Sequence, residues 1–118
     1  MINKVNNRYD LEDRTFKFAK DVIRYSNGLP KIVSNDEIKQ QLIRSCGSVG
    51  ANYIEANESL GKKDFLMRIR ISKKEAKESI YWLRLSEPSG DFEVERDKLI
   101  NESTEIMKIL GAIAEKSK

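Results

Sequence analysis

The chain has no histidine, one cysteine and two prolines among its 118 residues. Without imidazole or a cysteine cluster it lacks the usual ligands of zinc, and one cysteine excludes an internal disulfide. Two prolines and six glycines are too few for a sandwich of many short strands. The longest apolar runs, such as Ile80 to Leu83, are far too short to span a membrane. We therefore predict a protein without a metal site or a membrane segment.

The beginning of the chain, MINKVNNRYDLEDR, lacks the apolar stretch of a secretory signal peptide. We therefore predict a cytoplasmic location. The length suits one domain with one core. We predict a single domain over residues 1–118, with residues 1–9 as a flexible N-terminal segment.

The formal net charge is only +3, but the charges are unevenly distributed. Residues 62–84 carry eight basic and three acidic side chains, a net +5. Residues 1–61 carry nine basic and eight acidic groups, whereas residues 85–118 carry five and eight. The excess of positive charge therefore lies in one segment.

Apolar residues recur at steps of three and four in four segments, which is the pattern of amphipathic helices. The predicted helices run over residues 10–27, from 34 to a break at Gly61, over 62–87 and over 92–115. Short turns join them, so we predict an all-α fold, an antiparallel up-down four-helix bundle. We predict N-terminal caps at Asp10 for the first helix, at a Ser34–Glu37 capping box for the second and at Asp91 for the fourth. We also predict that Gly28 ends the first helix in the left-handed conformation.

The second helix contains the stretch RSCGSVGANYIEA, Arg44 to Ala56, which is rich in small residues. A glycine inside a helix costs about 1 kcal/mol relative to alanine, so close approach of a neighbour is the simplest compensation. Gly50 lies on the inner half and is predicted to admit a helix of its own bundle. Gly47, Ser48 and Ala51 point outward and are predicted to meet another subunit. The alternative is a surface helix of poor propensity with nothing docked on it.

Glu75 and Glu78 form an E-x-x-E pair on the third helix. Di-iron bundles need Glu-x-x-His motifs, which a chain without histidine cannot supply. We instead predict that these carboxylates bind Arg, Asn or Tyr side chains at a helix or subunit contact. Arg44 and Glu55 lie about 16 Å apart along one helix, so their partners belong to another helix or subunit. The candidates for an oligomer interface or structural polar network are Arg44, Gly47, Ser48, Ala51, Asn52, Glu55, Glu75 and Glu78.

No positioned nucleophile, phosphate loop or cofactor motif accompanies these carboxylates. The G-S-V-G sequence lies within a helix and lacks the lysine of a P-loop. Cys46 falls on the inward stripe and is interpreted as a small core residue. We predict no catalytic residue, no cofactor and no enzymatic activity.

One side of the third helix carries a row of basic residues within a sector of about 100°. The row extends over about 32 Å and lies away from the core stripe, so it is predicted to be exposed. Such a row can follow phosphates, and its tyrosine offers a surface for stacking a base. The alternative is a merely solvated face. The candidate nucleic-acid-binding residues are Lys63, Arg70, Lys73, Lys74, Lys77, Tyr81 and Arg84.

Two motifs have a specific resemblance. The pattern R-S-x-x-S-x-x-A-N-x-x-E-A at Arg44 to Ala56 and the pattern K-E-A-x-E-x-x-Y-W-L at Lys74 to Leu83 resemble the bacterial four-helix bundle proteins. These are also called 23S rRNA intervening sequence proteins, or the S23 family. The resemblance extends from about residue 10 to residue 110. Cys46 stands where alanine is common in the family, and Ser72 where the family tends to be apolar.

The resemblance implies a four-helix bundle that assembles as a ring-like homopentamer, without an established enzymatic activity. A similar fold occurs in the accessory variability protein of diversity-generating retroelements, a basic pentamer that binds nucleic acid and reverse transcriptase. The chain's +3 charge is modest beside those strongly basic relatives. The favoured hypothesis is a homo-oligomer, a pentamer, that binds RNA or DNA through the third helix. The alternative is a scaffold that binds another protein and has no role with nucleic acid.

Overall fold

The computed structural model describes the backbone of residues 7–118 and the side chains of residues 11–118. The helices are α1, Asn7–Asn27; α2, Val33–Asn57; α3, Lys62–Leu85; and α4, Glu93–Lys116. A short 3₁₀ turn, Gly90–Phe92, precedes α4. Each helix packs against the next along the chain, and α1 contacts α4 less extensively. The predicted antiparallel four-helix bundle is therefore confirmed.

The core follows the predicted helical stripes. Phe18, Leu42, Ile69 and Ile106 are fully buried, one from each helix. Phe65 and Ile113, which continue the apolar spacing of the third and fourth helices, are only half-buried. Within residues 7–118, no helix is both long and apolar enough to cross a membrane.

Serine hydroxyls connect the helices within this core. Ser72 of α3 donates to the Val49 carbonyl oxygen of α2 at 2.6 Å, and Ser103 of α4 donates to the Ala76 carbonyl oxygen of α3 at 2.8 Å. Ser72, Ser79 and Ser103 are all buried. Ser72 thus adds an interhelical hydrogen bond to the apolar core.

The helix ends differ from the predictions. Helix α1 begins at Asn7, three residues before Asp10, so Asp10 lies inside the helix. Helix α2 begins at Val33 after an extended Ile32, and no side chain caps it. The Ser34–Glu37 capping box is therefore wrong, because Ser34 already belongs to the helix. Residues 7–9 of the predicted flexible segment are helical, and residues 1–6 lie outside the described residues.

The predictions at the remaining ends are corrected in the same way. Asp91 lies in the 3₁₀ turn, and no side-chain cap bonds to that turn or to α4. Helix α3 ends at Leu85, two residues earlier than predicted. No glycine in the described part of the chain has a positive φ, so Gly28 does not take the left-handed conformation.

Asn35 closes the end of the bundle at which the α1–α2 and α3–α4 connections lie. Its side chain is fully buried. Its Nδ2 donates to the carbonyl oxygens of Pro30 and Glu87, each at 3.0 Å. Its Oδ1 accepts from the Glu87 backbone N–H, also at 3.0 Å. One amide side chain thereby joins the α1–α2 and α3–α4 connections.

Candidate nucleic-acid interface and oligomer surface

The basic row on α3 consists of Lys63, Arg70, Lys73, Lys74, Lys77, Tyr81 and Arg84. Every member is exposed. The row lies on the outer side of α3 because the opposite side packs Ile69, Ala76 and Leu83 into the core. The exposure that the helical spacing predicts is therefore observed.

The six cations of the basic row form no ion pair with any side chain of residues 11–118. Other cations of the chain are paired: Arg14 with Glu102 at 2.7 Å, and Lys17 with Asp21 at 2.7 Å. Unpaired cations remain available to an external anion, because no internal salt bridge must first be broken. The row is thus a distinct electrostatic feature of the surface.

Two contacts shape the row at its sides. Tyr81 is 55% exposed, and its ring meets the Trp82 ring edge-on with centroids 5.1 Å apart. Lys118 lowers the pKa of the Glu115 carboxyl by a hydrogen bond, and Lys73 and Arg70 lower it further by their charge. The Glu115 carboxylate of α4 therefore offsets part of the positive potential beside the row. The exposed Tyr81 ring stays available for stacking.

Arg44 of α2 forms one polar network with Glu75, Glu78 and Trp82 of α3. Arg44 donates to Glu75 Oε1 at 3.3 Å and also to Glu78. Trp82 Nε1 donates to Glu78 Oε2 at 3.0 Å, and this bond is the main cause that lowers the Glu78 pKa, with Arg44 adding to it. Burial alone would lower the Arg44 pKa, but the hydrogen bonds and charges of the two carboxylates have the larger combined effect. The Arg44 pKa is therefore raised. Of the partners predicted for the E-x-x-E pair, Arg, Asn or Tyr at a helix or subunit contact, the structure shows an arginine on another helix of the same chain.

Asn52, another candidate of the polar network, also binds across the α2–α3 seam. Arg68 Nη1 donates to Asn52 Oδ1 at 3.1 Å, and Asn52 Nδ2 donates to the Ser48 carbonyl oxygen at 2.9 Å. Ser48 is half-buried, whereas Glu55 is exposed. Arg44 with Glu75 and Glu78, and Asn52 with Arg68, thus form two separate polar contacts between α2 and α3.

The two glycines of α2 have different surroundings. A Cβ on Gly50 would lie 3.0 Å from Thr15 Oγ1 of α1, so this glycine admits the neighbouring helix as predicted. A Cβ on Gly47 would meet nothing within 4 Å, and Ala51 is exposed. The outward side of α2 therefore has free space within the single chain.

The sequence reasoning missed apolar residues that surround this free space. Ile43 and Ile54 are 39% and 47% exposed, and lie within about 40° of Gly47 when 100° is counted per residue. On α1, Phe16 and Ile23 are exposed as well, and Phe16 directly follows Thr15, which lies against Gly50 of α2. We call the surface formed by Phe16, Ile23, Ile43, Gly47, Ala51 and Ile54 the α2 back. The sequence could have indicated this surface, because Ile43 and Ile54 fall outside the inward-facing apolar stripe of α2.

The carboxylates and the one thiol of residues 11–118 are the candidates for metal ligands and for a thiol nucleophile. No group of three or more Cys, Asp and Glu side chains gathers there to hold a metal ion. Cys46 is fully buried, and burial raises its pKa to about 11. A thiol of this kind is a poor nucleophile, so Cys46 is the core residue that its position in the sequence predicted.

Comparison with known proteins gives one family. The family model described as 23S rRNA-intervening sequence protein matches residues 8–112. A crystal structure of a protein with unknown function from the S23 ribosomal protein family of Bacteroides thetaiotaomicron VPI-5482 aligns with a TM-score of 0.73 at 30% identity. The alignment covers 88% of this chain and 97% of that one. A search of curated proteins gives no match.

The matched region includes all four helices almost completely, and the structural neighbour has no assigned activity. Both comparisons agree with the motifs at Arg44 to Ala56 and Lys74 to Leu83. The chain therefore belongs to the 23S rRNA-intervening sequence protein family.

Proposed function

We propose that the chain forms a non-enzymatic homo-oligomer, a ring of five subunits, which binds structured RNA or DNA through the basic row on α3. The observation that carries the nucleic-acid role is the exposure of six cations along one side of one helix, none in an ion pair with a described residue. Such cations release counterions when they bind phosphates. Repeating the row around a ring adds the fields of the subunits.

Binding of this kind depends on phosphates more than on bases. The row offers lysine and arginine heads along about 32 Å, whereas only Tyr81 offers an aromatic surface. Contacts to phosphates position a nucleic acid without reading its sequence. We therefore expect weak sequence preference and a steep dependence on salt.

The nucleic-acid role is tested by fluorescence anisotropy with a labelled ribosomal RNA hairpin. If about six phosphates are neutralised, raising KCl from about 50 to about 200 mM should weaken binding about a thousandfold. The triple variant Arg70→Glu, Lys73→Glu, Lys77→Glu should lose more than about a hundredfold in affinity at the lower salt, because three attractions become repulsions.

The matched control is the triple variant Lys31→Glu, Lys98→Glu, Lys108→Glu. It makes the same change of charge at exposed lysines that do not belong to α3. We expect it to lose less than about tenfold, since the remaining field acts over a screened distance. Absence of binding by the wild type at low salt contradicts the proposal, as does an equal loss in both triple variants.

The ring is supported by the α2 back, where free space at Gly47 lies beside exposed isoleucines. Small residues allow close backbone approach, and a patch of exposed apolar side chains is typical of an interface. The number five rests on the family resemblance. A pentamer would have a mass of about 68 kDa, five times the 13.6 kDa of one chain.

Gly47→Leu and Ala51→Arg should each give smaller species in light scattering, because either side chain fills the space that a second subunit needs. Helical circular dichroism should persist, because both positions are open within the chain. The matched control is Gly90→Leu, where a Cβ also meets nothing within 4 Å, and it should stay assembled. If both α2 variants keep the wild-type mass, the α2 back is not the interface.

A further inference from the structure

A surface depression of about 780 Å³, which we call the groove, lies along the first half of α3, and all of its described lining belongs to α3 or to Gly61 directly before it. Its floor is apolar, made by Leu66, Met67 and Ile71. Its described lining also includes Gly61 and four charged residues. The charged residues are Lys63, Asp64, Arg70 and Lys74.

The floor of this groove is unusual for an outward helix face. Met67 is 46% exposed, and Leu60, directly before Gly61, is fully exposed. Met67, Ile71 and Lys74 follow one another at steps of four and three, so they share one side of α3. Leu66 and Ile71 are half-buried, so Met67 is the floor residue most open to solvent. Accessible apolar side chains mark interaction sites, and methionine adapts its shape to a bound partner.

We propose that the groove binds an acidic amphipathic helix of another protein. Three cations against one carboxylate give the rim a net charge of +2, which complements glutamates and aspartates on such a helix. The stretch from Lys63 to Lys74 is about 16 Å long, enough to face three turns. Apolar side chains at i, i+4 and i+7 would cover the floor in the helix-in-groove mode.

The apolar floor favours a peptide over a nucleic acid as the occupant. Phosphates need only the cations of the rim and gain nothing from Leu66 or Met67. Base edges seated on this floor would lose hydrogen bonds to water without replacement. An amphipathic helix, in contrast, satisfies its own backbone groups and has an apolar face to bury.

The inference goes beyond the proposed function and does not depend on it. Lys63, Arg70 and Lys74 belong to both the groove and the basic row, so a bound peptide should compete with nucleic acid. Met67 belongs only to the groove, and Lys77 and Arg84 belong only to the row. Variants at these positions therefore separate the two activities.

The test uses full-length protein and a fluorescent synthetic peptide of about 16 residues, with leucines at i, i+4 and i+7 and glutamates beside them. Saturable binding is expected by anisotropy. Met67→Gln should weaken it about tenfold, the cost of losing one buried apolar side chain. Lys63→Glu with Lys74→Glu should weaken it more than about tenfold, because both rim charges are reversed.

Two controls keep the result specific. Lys77→Glu with Arg84→Glu makes the same charge change outside the groove and should alter peptide affinity less than about threefold. A scrambled peptide of the same composition should bind at least about tenfold more weakly, because its leucines no longer share one face. Equal binding of both peptides overturns the proposal, since attraction of charge alone would then explain it.

The remaining outcomes identify other occupants. If Met67→Gln weakens RNA hairpin binding as much as peptide binding, the groove is part of the nucleic-acid site and the proposal is wrong. If Met67→Gln lowers the mass in light scattering, the groove is filled by a second copy of the chain and the proposal is again wrong. Peptide binding without RNA binding would support the groove and contradict only the proposed function.

Discussion

Asn35→Leu is expected to lower the free energy of unfolding by about 3 kcal/mol, because it leaves buried backbone groups without hydrogen-bond partners. The asparagine makes three hydrogen bonds of 3.0 Å, one to Pro30 and two to Glu87. Leucine is similar in size but can make none of them. The α1–α2 and α3–α4 connections would then separate at that end of the bundle.

Urea unfolding followed by circular dichroism measures this change, at one protein concentration because assembly adds to apparent stability. Ser34→Ala is the matched control. It changes the neighbouring exposed residue, where no capping bond forms, so its effect should stay within about 0.5 kcal/mol. A change of less than about 1 kcal/mol for Asn35→Leu, the value of one ordinary hydrogen bond, would contradict the assigned role.

Gly50→Leu should lower the free energy of unfolding by about 2 to 3 kcal/mol, the usual range for overpacking a core. A Cβ at this position comes within 3.0 Å of Thr15 Oγ1 and 3.8 Å of the Thr15 carbonyl carbon. Thr15 cannot swing away freely, because its hydroxyl donates to the carbonyl oxygens of Leu11 and Glu12. Helix α1 must therefore move, despite a gain in helix propensity of roughly 1 kcal/mol.

Gly47→Leu is the comparison for this second prediction. It makes the same substitution one turn earlier on α2, at a site with no neighbour within 4 Å. Measured on dissociated subunits, it should stabilise the helix by up to about 1 kcal/mol. Urea unfolding measures the free energy of unfolding of both variants. Equal stability of the two would mean that α1 does not pack closely on Gly50.

The contrast between the two glycines shows how much the sequence predicted. Helical spacing placed Gly50 inward and Gly47 outward, and the structure agrees, because 3.6 residues per turn determines direction whatever the partner is. The same counting placed the basic row outside the bundle. The outward side of α2 is predicted to contact a second subunit. That contact depends on another molecule, so it stays a prediction.

The capping predictions failed for a different reason. Ser34 and Glu37 have suitable types and spacing, but the helix begins earlier, at Val33, so Ser34 is not its N-cap. Asp91 lies within a 3₁₀ turn before α4 and makes no capping bond. Asn35 lies in the first turn of α2. Its burial depends on Glu87, 52 residues away, which no local pattern encodes.

The groove on α3 was not predicted, although helical counting places Met67 within about 20° of Lys74 on the outer side of the helix. The apolar type of Met67 and Ile71 is equally typical of residues beside a core stripe, so residue type alone did not separate the two positions. The Arg44 network was anticipated more closely. The arginine was expected to bind carboxylates on another helix or subunit, and both carboxylates come from α3 of the same chain.

The serines at helix contacts have a consequence for the geometry of any assembly. Ser72 binds the backbone of α2, and Ser103 of α4 binds the backbone of α3. Sliding α3 along α2 by one residue would shift it about 1.5 Å and break the first of these bonds. The lysines and arginines of α3 are thus held at a set height relative to the isoleucines of α2, so each subunit would present its charges at the same level around a ring.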